Sequence, residues 1–119
     1  QEVPNLVVTA GKNYVADRIK NNSTVMSHMA IGTGSTAAAA GDTALGNQTA
    51  RTALTSTTVT DNEIVYVDTF AAGTGTGAIT EAGIFNASSG GTMLCRTVFS
   101  VVNKGASDAM TITWTVTVS

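Results

Sequence analysis

His28 is the one histidine of the sequence and Cys95 its one cysteine, so few catalytic constellations are open to this chain. A hydrolytic triad or dyad sets a histidine beside a nucleophile and an orienting acid. Ser and Thr abound, yet none stands in the Gly-x-Ser-x-Gly context that exposes a nucleophile on a strained elbow. A metal centre would have to gather His28 with Asp42, Asp61, Asp68 or Asp108, and their spacing fits no ligand pattern. His28 is therefore expected to be a strand histidine with ordinary hydrogen bonds. Glu81, between Thr80 and Ala82 in an apolar run, would act as a general acid only with a second carboxylate at a matched distance. Its expected role is structural, bound to a backbone N–H or to Arg96. Cys95 lies between Leu94 and Arg96 in a strand-like run, where an inert thiol is expected. Alone, it forms no internal disulfide and no cysteine metal site. No enzyme emerges from these residues, and no cofactor or metal is expected.

Two glycine clusters, Gly32-Thr33-Gly34 and Gly73-Thr74-Gly75-Thr76-Gly77, resemble phosphate cradles at first sight. Such a cradle runs from a strand through glycines to a helix N-terminus, often with a Lys-Ser/Thr pair for charge and Mg²⁺. Neither cluster has the lysine and the second leads into a strand, so both are expected to be turns. Ala10-Gly11-Lys12 lacks the first glycine and the hydroxyl residue of a P-loop. Asn21, Asn22, Asn47 and Asn86 fit the Asn-x-Ser/Thr pattern, a match that a Thr-rich chain produces by chance.

The 119 residues include six Lys plus Arg and eight Asp plus Glu, a net charge of −2. The basic residues form no stripe, which argues against nucleic-acid binding. No stretch approaches the ~18 apolar residues that span a bilayer, and no signal peptide is visible. The start at Gln1 without Met suggests N-terminal processing. Only 12% of residues are charged, about half the usual share, and with a single Pro this argues against disorder. A weakly charged skin rich in Thr, Ala and Gly has little electrostatic defence against association, which points to an assembly subunit.

The elements that must position these residues are mostly strands. From Ala109 to Ser119, Met110, Ile112, Trp114, Val116 and Val118 alternate with Thr111, Thr113, Thr115 and Thr117, which predicts a strand with five buried apolar side chains and a threonine face. After a short extended entry at 5–8, Thr9 can N-cap a helix to about Lys20, with Val15 and Ile19 on its apolar stripe. Thr24 to Ile31 reads as a strand with Val25, Met29 and Ile31 on one face and Met26, His28 and Ala30 on the other. A long connection of small residues, 32–46, follows. Further strands are expected at 48–60, 64–71, 79–86 and 92–102, with turn signals at Thr60-Asp61-Asn62-Glu63, the second glycine cluster, 87–91 and 103–108. Short strands, turns and one helix indicate a single mostly-β domain over 1–119: an antiparallel β-sandwich, jelly-roll-like or related, with one short N-terminal α-helix.

Three regions carry a resemblance: Met29-Ala-Ile-Gly-Thr-Gly-Ser-Thr-Ala37; Gly41-Asp-Thr-Ala-Leu-Gly46; and Ile79-Thr-Glu-Ala-Gly-Ile-Phe-Asn86 with Gly91-Thr-Met-Leu-Cys-Arg-Thr-Val-Phe99. They resemble small virion structural proteins of tailed bacteriophages. The pattern is similar to the N-terminal region of phage tail-collar fibre proteins, where a short helix precedes an A-V/I-G-T-G strand end and an I-T-E-A-G-I/L-F strand. The resemblance runs over about positions 5–119. It implies an assembly role, either as a capsid decoration (cement) protein that binds the major capsid protein and stabilises the head, or as a tail-side collar, baseplate or fibre-attachment module. The chain stops after the domain without a coiled coil, shaft or tip, which favours decoration of the capsid surface after synthesis in the bacterial host cytoplasm. The expected partners are the major capsid protein or other virion proteins and further copies of the chain, with trimers favoured, and neither nucleic acid nor membrane. Small side chains let backbones approach closely, so the interface candidates are Gly32, Thr33, Gly34, Ala37, Ala38, Ala39 and Ala40, with Gly73, Gly75 and Gly77 as a second set. The N-terminal helix is expected to cap the sandwich or dock on a partner.

Overall fold

A computed structural model describes residues 5–118. In chain order the elements are β1 (Leu6–Val7), α1 (Thr9–Asn21), β2 (His28–Gly32), β3 (Gln48–Ala53), β4 (Ser56–Thr60), β5 (Glu63–Phe70), β6 (Gly77–Phe85), β7 (Met93–Lys104) and β8 (Met110–Thr117). They form a five-stranded sheet, β1-β7-β6-β2-β3, and a three-stranded sheet, β4-β5-β8, in which every pairing is antiparallel. Their inner faces share one core. Met29, Ile31, Ile79, Ile84 and Cys95 of the larger sheet pack in one cluster with Tyr66, Phe70, Trp114 and Val116 of the smaller. The antiparallel sandwich with a short helix is thus the architecture of the chain.

The last strand follows its alternation, with Trp114 and Val116 buried, Met110 and Ile112 half-buried and all four threonines exposed. Val118 does not join them, because it lies past the strand and is 53% exposed. The expected end at Ser119, like the start at Gln1, lies outside the described residues. β6 loses the alternation: from Ile79 to Phe85 every residue is buried. A strand covered on both faces has no polar side to show. Its outer face is covered by α1 and the 33–47 loop, where Val8, Ala30, Phe85 and Met93 form a second core with Ala10 and Leu45 against them. Arg51 lies over the Phe85 ring at 3.6 Å from its centroid, adding a cation–π contact to this layer.

The helix and the segment after it depart from expectation. The helix is capped by the extended backbone of Val8 rather than by Thr9, which is the first helical residue, and no side chain caps its N-terminus. Its stripe also faces the other way: Ile19 is 83% exposed and Val15 is exposed, while Gly11 is the buried position. Close approach decides this face, since a Cβ on Gly11 would lie 2.0 Å from the Leu94 carbonyl oxygen. The strand expected from Thr24 begins only at His28. Because 24–27 is not extended in register, Met26 packs with Met29 and Ile31 instead of opposite them, and Val25 is left 52% exposed.

The expected strand 48–60 is two strands, one in each sheet, broken at Leu54-Thr55. Buried Asp68 fixes this corner by accepting hydrogen bonds from Thr52 Oγ1 at 2.6 Å and Thr55 Oγ1 at 3.5 Å. Thr55 Oγ1 in turn accepts from the Thr69 N–H at 3.2 Å. Burial raises the Asp68 carboxyl above the usual range, and the bonds from Thr52, the Thr69 N–H and Thr55, together with His28, offset this only in part. At the next turn the expected hairpin forms, with Thr60 opposite Glu63 and Asp61 in left-handed backbone at φ 53°.

Candidate functional site

The register shift between Ile79 and Glu81 turns Glu81 onto the outer face of the large sheet, beside Arg96 on β7. Both side chains are buried there. Glu81 Oε1 accepts from Arg96 Nε at 3.1 Å, from Arg96 Nη2 at 3.0 Å and from the Gly46 N–H at 2.7 Å. Glu81 Oε2 accepts from the Gly34 and Asn47 N–H groups, each at 2.7 Å. The other arms of the guanidinium hold the loop between them: Nη2 donates to the Thr36 carbonyl and Nη1 to Asp42 Oδ2, both at 2.9 Å. Asp42 Oδ2 also accepts from the Ala39 N–H at 2.9 Å, and Thr80 Oγ1 donates to the Gly34 carbonyl at 2.8 Å. The 33–47 connection has no secondary structure of its own, so this brace supplies the partners that strands would otherwise supply.

Burial alone would raise the Glu81 carboxyl. The N–H groups of Asn47, Gly46 and Gly34 and the Arg96 side chain outweigh it and hold the carboxyl below the usual range. A charged form bound this tightly in the fold contributes stability that is present above the unfolded carboxylate range and lost as pH falls through the folded value. The glycines are part of the same geometry. A Cβ on Gly34 would lie 2.4 Å from Glu81 Oε2, and one on Gly32 would lie 2.3 Å from the Asn47 carbonyl oxygen.

The structural role expected for Glu81 is thus present in both its forms, with backbone N–H groups and Arg96 bound together. Asp42 escaped the sequence reading, which weighed it only as a metal ligand. Between Gly41 and Thr43 it has the appearance of any turn residue. Of the first candidate set, Gly32 is buried, Thr33, Gly34 and Ala38 are half-buried, and Ala37, Ala39 and Ala40 are exposed. Gly73, Gly75 and Gly77 all have positive φ, and Gly75 packs so close to Ile31 that a Cβ would lie 2.7 Å from its Cδ1. The antiparallel register brings Gly32 towards the second set, because it pairs with Glu81 near the start of β6, while the first set ends beside α1, where the Ala40 carbonyl accepts from the Thr9 N–H at 2.8 Å. The 105–109 turn joins the second set: buried Lys104 pairs with Gly77 and donates to the carbonyls of Ala71 at 2.9 Å and Asp108 at 2.7 Å. Ser35, Thr36, Ala37, Ala39, Ala40 and Gly41 are exposed along the 33–47 connection, giving it a surface of small side chains, and Ala71 and Ala72 are exposed before the second glycine cluster.

Elsewhere the other candidate groups are engaged in the fold, while the buried Trp114 Nε1–H has no partner among the described residues. His28 Nδ1 is 2.7 Å from Ser27 Oγ. Cys95 is fully buried in the inner core, and burial pushes its thiol well up. Among the described residues no three His, Cys, Asp or Glu side chains gather as a metal site. An open depression of about 370 Å³ lies between α1 and the turn after β6, bordered by Tyr14, Asp17, Asn86 and Thr92. Its polar atoms serve the fold, since Tyr14 donates to the Thr24 carbonyl, Asp17 accepts from Asn21 and Ser23, and Asn86 accepts from the Thr92 N–H. What fold and site define together is an antiparallel sandwich that presents a braced loop of small side chains. No family model matches the chain, and no curated protein matches it.

Proposed function

We propose that this chain is a structural subunit of a tailed-bacteriophage virion, a decoration protein that docks on the major capsid protein through the loop end of its sandwich. One observation carries the reading. The segments that resemble virion proteins meet in space, with Gly34, Asp42, Gly46, Glu81 and Arg96 forming one connected brace. Their shared chemistry therefore orders one loop. A loop already ordered by buried hydrogen bonds loses little conformational freedom on docking. Its small side chains allow backbone-to-backbone approach, and on a lattice many weak contacts act together.

Gly41 offers a test that spares the fold, since a Cβ there meets nothing within 4 Å and its φ is not positive. Gly41→Trp should keep the wild-type Tm but lose at least about tenfold in co-sedimentation with purified heads that lack the protein. Undiminished binding by the variant would remove this face from the docking site. Wild-type protein that sediments with purified tails and not with heads would replace the decoration role by a tail-side one.

A further inference from the structure

We infer that β8 is a pairing edge for a second copy of this chain, the two β8 strands running antiparallel about a two-fold axis centred on Thr113. This rests on the edge itself and holds whether or not the chain is a virion protein. Among the described residues β8 has a strand neighbour only on its β5 side. Edge strands are ordinarily protected by charge, proline, a bulge or brevity. β8 has none of these: its eight residues, Met110-Thr-Ile-Thr-Trp-Thr-Val-Thr117, contain no charge and no proline, and its register with β5 runs without a shift.

The register also says which backbone groups are free. The Val118 N–H donates to the Asn62 carbonyl at 2.8 Å, which makes 62 and 118 a hydrogen-bonded pair at the end of the ladder. Hydrogen-bonded pairs alternate along an antiparallel ladder. The even residues of β8 therefore bond to β5, and Thr111, Thr113, Thr115 and Thr117 direct their N–H and C=O groups to the open side. Thr69 Oγ1 and Thr111 Oγ1, 2.9 Å apart, agree with this, since side chains lie closer in the non-hydrogen-bonded pairs.

The open side is complementary to itself. With Thr113 opposite its own copy, Thr111 faces Thr115, Ile112 faces Trp114 and Met110 faces Val116, like meeting like, while Thr117 faces Ala109 just before the strand. Thr–Thr and aromatic–β-branched pairs are among the favourable cross-strand combinations. The pairs across the seam that involve open backbone groups are 111 with 115 and 113 with 113, so hydrogen bonds and register coincide. The joined sheet would run through both copies and shelter Met110 and Ile112, which a single chain leaves half-buried. A two-fold pair of this kind differs from the trimer that the virion resemblance implies.

Because the Thr113 side chain is exposed on the outer face, a charge there leaves the monomer intact and sets like charges opposite each other at the axis. Sedimentation equilibrium should give a dimer for the wild-type chain. T113K and T113E, each with wild-type Tm, should be monomeric at the same concentrations, and their equimolar mixture should regain the dimer mass. A wild-type monomer or trimer, a dimer indifferent to both substitutions, or a mixture that stays monomeric would each overturn the proposal.

Discussion

Arg96→Met is expected to destabilise the chain by about 3–5 kcal/mol, the usual cost of removing one partner from a buried ion pair. For a domain of this size that is a fall in Tm of roughly 12–20 °C. The cause is specific. Glu81 is fully buried and would keep its three backbone donors but lose the guanidinium bonded to it, while the Thr36 carbonyl would lose its donor and Asp42 would keep only the Ala39 N–H. Arg96→Lys should recover only part of the loss, because an ammonium cannot reach Glu81, Asp42 and Thr36 from one planar fork. Hydrogen exchange should localise the damage, with amides of Gly34, Gly46 and Asn47 losing protection before those of β5 and β8. The pH profile should change as well. In the wild type, acid removes the contribution of Glu81, whose carboxyl is held low. Without Arg96 that carboxyl moves up, so the fall in stability on acidification should be shallower. An Arg96→Met protein with wild-type Tm and unaltered loop protection would mean that the brace does not hold the loop.

Gly11→Ala carries the second large effect, with a sign opposite to the one helix propensity suggests. In an exposed helix interior this change gains about 1 kcal/mol. Here the added methyl would sit 2.0 Å from the Leu94 carbonyl oxygen and 2.8 Å from its carbon, both backbone atoms of the central layer. The helix must lift from β7, disturbing the Val8 N–H bond to the same carbonyl and the packing of Val8 and Ala10 on the outer core. A net loss of about 1–3 kcal/mol is expected, the range for overpacking a tight contact. Thermal unfolding measures it directly, with Ala16→Gly on the exposed side of the helix as the control for propensity alone. A gain in Tm for Gly11→Ala would show that the helix does not seat on β7 through this residue.

The two cases mark what could be read in the chain before its structure. Alternation made β8 legible because one of its faces meets a core and the other meets solvent. The turn at Asp61-Asn62 and the glycine-rich loop before β6 were legible from residues that tolerate left-handed backbone. β6 showed only an apolar run, since both its faces are covered and nothing in the pattern names the second cover. That cover is where the reading of the helix failed. Val15 and Ile19 make the better apolar stripe on paper, but a glycine that admits a carbonyl at short range decided which side turned inward. Likewise 48–60 read as one strand because no Gly, Pro, Asn or Asp interrupts it, and the break follows from Asp68, distant in sequence. For Glu81 a backbone N–H or Arg96 was the expected partner, and it binds both. The role of Asp42 was hidden, because a single acid in a turn of small residues becomes a brace only when a guanidinium from β7 arrives beside it.

The central claim is that the braced loop end belongs to a virion and faces its capsid. Quantitative mass spectrometry of purified particles, with heads and tails separated, tests it most directly. Copies in the hundreds, travelling with the heads, are the result expected of a decoration protein. A handful travelling with the tails, or none in the particle, would contradict it.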